Sequence, residues 1–192
     1  MIHTIQRRKN NALPLIFAGA GLILFAIAGI FWAKQSQEVA ALSADEDLSV
    51  VPVSVEYLVP ELVMTDLSGK SVSLADFRGQ IVLINNWATW CPPCRAEMPQ
   101  LEAYYQAHKD QNFTLIGISA GDTQAQVENF VREYALSFPM WIDLESAALS
   151  AFRNNSLPSS YVIDKNGTVR LAWSGAISLA MLEEHVTPLL KE

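Results

Sequence analysis

The sequence predicts an α/β domain, a mixed sheet covered by helices on both faces, that follows a single transmembrane helix. Between residues 81 and 163, apolar runs typical of buried strands alternate with helical segments, a pattern that favours a sheet with helices packed on it. A Lys165-Asn166-Gly167 turn then indicates a hairpin, so part of the sheet is antiparallel. An uncharged apolar run at residues 12–33 stands apart from this pattern.

The composition excludes several classes of protein. Of the 192 residues, 51% are hydrophobic and 17% are charged, which is too apolar for intrinsic disorder. The net charge of −7 argues against nucleic-acid binding, which depends on a cationic surface. Two cysteines are too few for a disulfide-rich secreted scaffold or an all-cysteine zinc site.

The apolar run at 12–33 is the predicted membrane anchor. As a helix it would extend about 33 Å, enough to cross a hydrocarbon core of about 30 Å. Arg7, Arg8 and Lys9 precede it and Lys34 follows it, so the positive-inside bias predicts a cytoplasmic tip at 1–11 and an extracytoplasmic, periplasmic remainder at the cell membrane. A cleaved signal peptide is the alternative, although its apolar region would span only about 7 to 15 residues.

An acidic linker is predicted at 34–49, where acidic and small residues show no apolar periodicity. Residues 1–34 hold four of the 13 Lys and Arg residues and none of the 20 Asp and Glu residues, so the rest of the chain carries a net charge of −11. The folded domain is expected at 50–192, a common domain size.

The first elements of this domain are two short strands after Pro60, joined by a turn at 66–69 and followed by a helical turn after Leu74. Ile81–Trp87 is a mainly apolar segment rich in β-branched residues, which predicts a strand buried on both faces. The other predicted elements are a helix at 93–108, a strand at 113–119, a helix capped by Thr123 and Gln126, an apolar segment at 138–142, a short helix at 146–152, strands at 160–163 and 169–173, and a last helix capped by Ser178.

Cys91, Pro92, Pro93 and Cys94 lie where the strand 81–87 passes into a helix. Unpaired backbone N–H groups and the helix dipole favour negative charge at this place, which lowers the pKa of a cysteine. Cys91 is therefore the predicted nucleophile and Cys94 the cysteine that resolves the mixed disulfide. A purely structural disulfide is the alternative, but so short a loop adds only about 2 kcal/mol of stability.

Residues 85–99, NNWATWCPPCRAEMP, and the preceding SLADFRGQIVLI resemble the membrane-anchored, thioredoxin-like thiol-disulfide oxidoreductases of bacteria in the TlpA, ResA and CcmG group. The resemblance covers about residues 60–190. It implies a thioredoxin-like fold with an added N-terminal β-hairpin, and a role in reducing disulfides outside the cytoplasm. It implies as substrates exported proteins such as apocytochrome c in cytochrome c biogenesis, or metalloprotein precursors. It also implies a membrane thiol electron donor of the DsbD or CcdA type, and no cofactor beyond the Cys91–Cys94 disulfide.

The resemblance further implies roles for single residues. Glu97 matches a glutamate that helps to move protons in ResA-like proteins; the alternative is a first-turn carboxylate that complements the helix dipole. Leu157-Pro158 matches the segment where a cis-proline presents backbone to the substrate; the alternative is an ordinary trans proline. Trp90 and Pro92, on either side of Cys91, are predicted to contact the substrate.

One residue departs from the family pattern. Asn86 stands where phenylalanine is usual, and a buried amide there is costly unless it is hydrogen-bonded.

Three other functions remain open at this stage. A thiol oxidant has the same motif, because sequence does not fix the direction of electron flow. Peroxiredoxins share the fold, but Ala88 and Ile84 stand where they need a threonine and a proline. A copper-delivery module would pair two cysteines with a distant histidine, but such modules have three residues between the cysteines. His108 and His185 are expected to be solvated rather than ligands.

Overall fold

An eight-stranded sheet organises the part of the chain that the computed structural model describes, residues 49–191. The strands are β1 Val53–Leu58, β2 Val63–Asp66, β3 Ser71–Ser73, β4 Ile81–Trp87, β5 Phe113–Ala120, β6 Met140–Asp143, β7 Ser159–Ile163 and β8 Thr168–Ser174. The helices are α1 Pro92–His108, α2 Gln124–Tyr134, α3 Ala147–Ala151, α4 Leu179–His185 and α5 Thr187–Leu190, with a 3₁₀ helix at Leu74–Phe77.

The predicted anchor at 12–33 and tip at 1–11 lie outside the described residues. None of the helices within residues 49–191 has the length and apolar character that a membrane span requires.

The strands follow one another across the sheet in the order β1-β8-β7-β4-β5-β6-β2-β3. The neighbours β4, β5 and β6 run parallel, and the other neighbouring pairs are antiparallel. All seven residues of β4 are buried, as expected for an apolar strand covered on both faces. The predicted mixed sheet is confirmed, and so is the hairpin β2–β3 near the start of the domain.

Alternate side chains of β4 point to opposite faces of the sheet. Leu83 and Trp87 belong to one core cluster, with residues of α1, α2 and α4, whereas Val82 and Ile84 belong to a second cluster, with residues of α3 and the 3₁₀ helix. Helices therefore cover both faces, as predicted.

Two predicted helix caps are present. The backbone N–H of Thr123 donates to Oε1 of Gln126 at 2.9 Å at the start of α2. Oγ of Ser178 accepts a hydrogen bond from the backbone N–H of Met181 at 3.3 Å at the start of α4. Such bonds satisfy N–H groups that have no partner within the helix.

Three features differ from the sequence prediction. Strand β1 was not predicted; it lies at the edge of the sheet and most of its residues are exposed. The single last helix is two helices, α4 and α5, because Pro188 lacks the N–H that would continue the hydrogen bonds of α4. The expectation that His108 is solvated was wrong, since α4 covers it: His108 is 8% exposed and its Nε2 lies 2.9 Å from Oε1 of Glu183.

Candidate active site

Cys91 and Cys94 form a disulfide at the point where β4 ends and α1 begins, with 5.3 Å between their Cα atoms. Cys91 is the N-cap residue of α1, and Pro92 and Pro93 occupy the first two helical positions. Prolines have no N–H, so Cys94 supplies the first backbone N–H of the helix. That group points at Sγ of Cys91, 3.4 Å away, where it would stabilise a Cys91 thiolate.

The two cysteines differ in their exposure. Cys91 is 3% exposed and Cys94 is fully buried in the core. Cys91 is therefore the more accessible of the two residues, and its role as the nucleophile stays a prediction.

The segment just before Cys91 is fixed by a buried carboxylate. Asp122 follows β5 and is fully buried. It accepts three hydrogen bonds of 2.7 Å, from the backbone N–H and the hydroxyl of Thr89 and from the hydroxyl of Ser119. Arg95 donates to the carbonyl of Thr89 at 3.3 Å. Thr89 is thus held through its N–H, its hydroxyl and its carbonyl, two residues before the nucleophile.

Glu97 lies on the buried side of α1, one turn after Cys94, and is 1% exposed. Its Oε1 accepts a hydrogen bond from Nδ2 of Asn85 at 2.8 Å, and its Oε2 accepts one from the backbone N–H of Ile177 at 3.1 Å. Burial raises the pKa of Glu97 to about 8, and the two hydrogen bonds oppose this effect. The carboxyl group can therefore take up and release a proton close to neutral pH.

Two cross-strand pairs connect β4 to β7 behind the cysteines. Asn85 is opposite Ser160 and Asn86 is opposite Ser159, and all four side chains are fully buried. Nδ2 of Asn85 donates to Oγ of Ser160 at 3.0 Å, and Nδ2 of Asn86 donates to Oγ of Ser159 at 3.3 Å. Neither Oδ1 atom has a hydrogen-bond partner among the described residues. The amide of Asn86 is thus only half satisfied in its buried position.

The remaining predicted site residues lie in two places. The peptide bond between Leu157 and Pro158 is cis, as the resemblance implied, and Leu157 packs against the core cluster that contains both cysteines. The other two residues lie on the surface beside Cys91: Pro92 is exposed and Trp90 is 66% exposed. The structure thus brings Cys91, Cys94 and Leu157 against one cluster and leaves Trp90 in solvent.

Sequence reasoning missed Asp122 and the amide of Ile177. A signal for Asp122 was available, because β4 and β5 are parallel and adjacent, so the residues that follow them meet at one edge of the sheet. Ile177 contacts Glu97 through its backbone N–H, and a sequence pattern does not predict such a backbone contact.

Comparison with known proteins agrees with this geometry. Residues 55–172 match the AhpC/TSA family. The thiol-disulfide oxidoreductase ResA of Geobacillus kaustophilus is 36% identical over 134 residues, which cover 70% of this chain and 77% of that protein. ResA of Bacillus thuringiensis is 39% identical over 127 residues, covering 66% and 73%.

Among solved structures, a thiol:disulfide interchange protein of the thioredoxin family from Chlorobium tepidum has a TM-score of 0.64 at 26% identity and covers 72% of this chain and 99% of its own. The chain belongs to the AhpC/TSA family and has a thioredoxin-like fold; its relatives identify it as a thiol-disulfide oxidoreductase of the ResA type.

Proposed function

We propose that this thiol-disulfide oxidoreductase reduces disulfides in exported proteins, and that residues 12–33 anchor it to the cell membrane with the domain outside the cytoplasm. The observation that carries the proposal is a cysteine pair at a helix start with a buried carboxyl group of raised pKa one turn behind it. The reductive direction and the substrates, apocytochrome c or metalloprotein precursors, follow from the resemblance to the TlpA, ResA and CcmG group.

In the first step the Cys91 thiolate attacks one sulfur of the substrate disulfide. The bond between Sγ of Cys91 and that sulfur forms, the substrate S–S bond breaks, and the second substrate sulfur leaves as a thiolate that takes up a proton. The N–H of Cys94, 3.4 Å from Sγ of Cys91, favours the reactive thiolate before the attack.

In the second step Cys94 resolves the mixed disulfide. Glu97 in its ionised form takes the proton of the Cys94 thiol, and the Cys94 sulfur attacks Sγ of Cys91 and displaces the substrate sulfur, which is then protonated. Two electrons and two protons have passed from the dithiol to the substrate. With a pKa of about 8, roughly one tenth of Glu97 is ionised at pH 7, so the group is poised to act both as base and as acid.

The substrate would lie over the exposed side of Cys91. Trp90 and Pro92 are exposed there and offer an apolar surface beside the reacting sulfur. The segment before the cis-proline, at Leu157, would present backbone groups to an extended substrate chain. After each turnover a membrane thiol carrier of the DsbD or CcdA type would return the Cys91–Cys94 disulfide to the dithiol.

A peroxidase function is not favoured. Ala88 and Ile84 occupy the positions where peroxiredoxins need a threonine and a proline, and both are fully buried apolar residues. They offer no polar group to a peroxide.

A trapping experiment tests the proposal. In the full-length Cys94→Ser variant, expressed in membranes of the source organism, the mixed disulfide on Cys91 cannot be resolved, so exported cysteine-containing proteins should accumulate as covalent adducts that a thiol reductant releases. The Cys91→Ser variant, which retains only Cys94, is the matched control and should trap none.

Failure to recover an adduct under conditions in which the wild type exchanges thiols would overturn the attacking role of Cys91. The direction is tested by the reduction potential of the Cys91–Cys94 couple. A midpoint well above that of the glutathione couple would identify an oxidant instead of a reductase.

A further inference from the structure

We infer that Asn85 is a positioning residue whose side-chain amide turns over when Glu97 gains or loses a proton, so that it holds the carboxyl group in both protonation states. The inference rests on the proposed role of Glu97 and adds a second residue to that role. It concerns the hydrogen bonds that join α1, β4 and β7 directly behind the cysteines.

The arrangement in the structure suits an ionised Glu97. Each carboxylate oxygen accepts one hydrogen bond, Oε1 from Asn85 and Oε2 from Ile177. Both hydrogens of the Asn85 amide are used, because its Nδ2 also donates to Oγ of Ser160. Oδ1 of Asn85, in contrast, is buried without a partner among residues 49–191.

A protonated Glu97 does not suit this arrangement. A proton at the lone pair of Oε1 that accepts from Asn85 would face that N–H, and a proton at the lone pair of Oε2 that accepts from Ile177 would face that N–H, so at either place two donors would oppose each other. The N–H of Ile177 belongs to the backbone and cannot reverse its direction. The Asn85 amide can, since its oxygen and nitrogen ends have nearly the same size.

Rotation of the amide resolves the conflict. Oδ1 then takes the place of Nδ2 and has two lone pairs, one for the hydroxyl of the protonated Glu97 and one for the hydroxyl of Ser160, which rotates from acceptor to donor. Nδ2 moves to the former place of Oδ1, which has no partner among residues 49–191. The unpartnered Oδ1 of the ionised state thus becomes the acceptor that the protonated state requires. Asn85 holds the carboxyl group at the same place on α1 while the proton comes and goes.

Within residues 49–191, no charged side chain contributes to the pKa of Glu97 in the oxidised structure. Burial is the largest effect on Glu97 and raises its pKa, whereas the bonds from Asn85 and Ile177 lower it. The groups that join them in the reduced protein are the thiols of Cys91 and Cys94, on the same helix.

Asn86 supplies a matched control in the next position of the same strand. It is equally buried, it donates through Nδ2 to a serine of β7, and its Oδ1 also lacks a partner within the described part of the chain. Alternate residues of a strand point to opposite faces, so of these two asparagines Asn85 is the one that contacts Glu97. An effect that substitutions of both asparagines share is therefore an effect of lost packing. An effect that only the Asn85 substitution shows results from its contact with Glu97.

The first test follows the amide directly by NMR in the full chain labelled at its asparagine side chains. At a pH well above the titration of Glu97, the NδH₂ protons of Asn85 should show proximity to Glu97 and Ser160. At a pH well below it, these contacts should be lost, while those of Asn86 to Ser159 persist. Contacts of Asn85 that are unchanged across the titration of Glu97 would overturn the inference.

The second test measures how fast the reduced full chain reduces oxidised glutathione between pH 5 and pH 10. The bond from Asn85 to the ionised carboxylate is charge-assisted and therefore stronger than its bond to the protonated form, so it lowers the pKa of Glu97. Asn85→Leu should accordingly move the Glu97 midpoint upward by about one pH unit. Asn86→Leu should keep the wild-type midpoint, and Glu97→Gln should lose it.

The outcomes separate this inference from the proposed function. If the rate of glutathione reduction by Glu97→Gln depends on pH as in the wild type, Glu97 takes no part in the reaction. The proposed role of Glu97 as proton carrier would then be wrong, and the inference about Asn85 would fail with it. If Glu97→Gln loses the midpoint but Asn85→Leu and Asn86→Leu behave alike, only the inference about Asn85 fails.

Discussion

Two buried carboxyl groups lie near the segment that holds the cysteines, and their surroundings differ. Asp122 is fully buried and receives three hydrogen bonds of 2.7 Å, two of them from Thr89 in the segment before Cys91. Glu97 is 1% exposed and receives only two, of 2.8 and 3.1 Å, one on each oxygen. Burial outweighs these two bonds, so the pKa of Glu97 rises to about 8.

The difference shows how one chemical group can serve two purposes at one site. The donors to Asp122 include the backbone N–H and the hydroxyl of Thr89, so Asp122 fixes the position of the segment that precedes Cys91. Glu97 has the smaller set of donors and lies one turn after Cys94, so it is suited to transferring a proton.

The largest expected effect is on the pH dependence of stability. The pKa of Glu97 is raised in the folded protein from 4.5 to about 8, so between these values the folded form keeps a proton that the unfolded form releases. The free energy of unfolding should therefore fall with rising pH across this window, by about 1.4 kcal/mol per pH unit. Urea unfolding at pH 5 to 8.5 should show this slope in the wild type and its loss in Glu97→Gln.

Glu102 provides the control for that experiment because it is a carboxyl group on the same helix. Burial opposes its ionisation, yet hydrogen bonds from Ser137 and Gln106 together lower the pKa of Glu102 below its ordinary value. Glu102→Gln should therefore keep the wild-type slope above pH 5. An equal loss of slope in both variants would contradict the special position of Glu97.

The next effect tests Asp122 as the residue that fixes the loop. Asp122→Ala leaves the N–H and hydroxyl of Thr89 and the hydroxyl of Ser119 without their acceptor, which should lower the free energy of unfolding by about 3 kcal/mol. The rate at which the reduced protein reduces oxidised glutathione should fall as well, because the Cys91 segment is released.

Asp143 is the matched control for Asp122. It is buried and accepts bonds of 2.8 Å from the N–H groups of Ala147 and Ala148, but it does not contact Thr89. Asp143→Ala should lower stability without lowering the rate of glutathione reduction. Equal rates in the folded forms of Asp122→Ala and Asp143→Ala would show that Asp122 has no positioning role.

The smallest effect is expected at the exposed surface beside the pair. Trp90 is 66% exposed, so Trp90→Ala should change the free energy of unfolding by no more than about 0.5 kcal/mol. It should slow the reduction of a disulfide-bonded protein such as insulin more than that of oxidised glutathione. Leu144 is 63% exposed and directly follows β6. Leu144→Ala should slow the reduction of neither insulin nor oxidised glutathione. If Trp90→Ala slows the reduction of both substrates equally, Trp90 does not contact the protein substrate.

The sequence was sufficient for those elements whose local pattern is strong. Strand β4 has the predicted bounds, Ile81–Trp87, because its mainly apolar, β-branched sequence favours a strand buried on both faces. The start of α2 was predictable from Thr123 and Gln126, which cap the helix through their own side chains. Strand β1 was not, since an exposed edge strand needs no apolar run and is defined by its pairing with β8.

The site was predictable in its cysteines but less so in what surrounds them. The spacing of Cys91 and Cys94 marks the redox pair, and the resemblance pointed to Glu97. The donors that surround Glu97 come from β4 and from the loop after β8, 12 and 80 residues away along the chain. Such contacts are fixed by tertiary packing, which a single sequence does not display.

The most direct test of the central claim is the rate at which Cys94 resolves a mixed disulfide on Cys91. Reduced full-length protein is mixed with the aromatic disulfide 5,5′-dithiobis(2-nitrobenzoate), and release of the second coloured thionitrobenzoate reports the resolving step. In the wild type this rate should rise through a midpoint near pH 8, the pKa of Glu97. In Glu97→Gln the midpoint should vanish and the rate at pH 8.5 should fall by about 100-fold. A Glu97→Gln protein that resolves the mixed disulfide at the wild-type rate and with the wild-type pH profile would contradict the account.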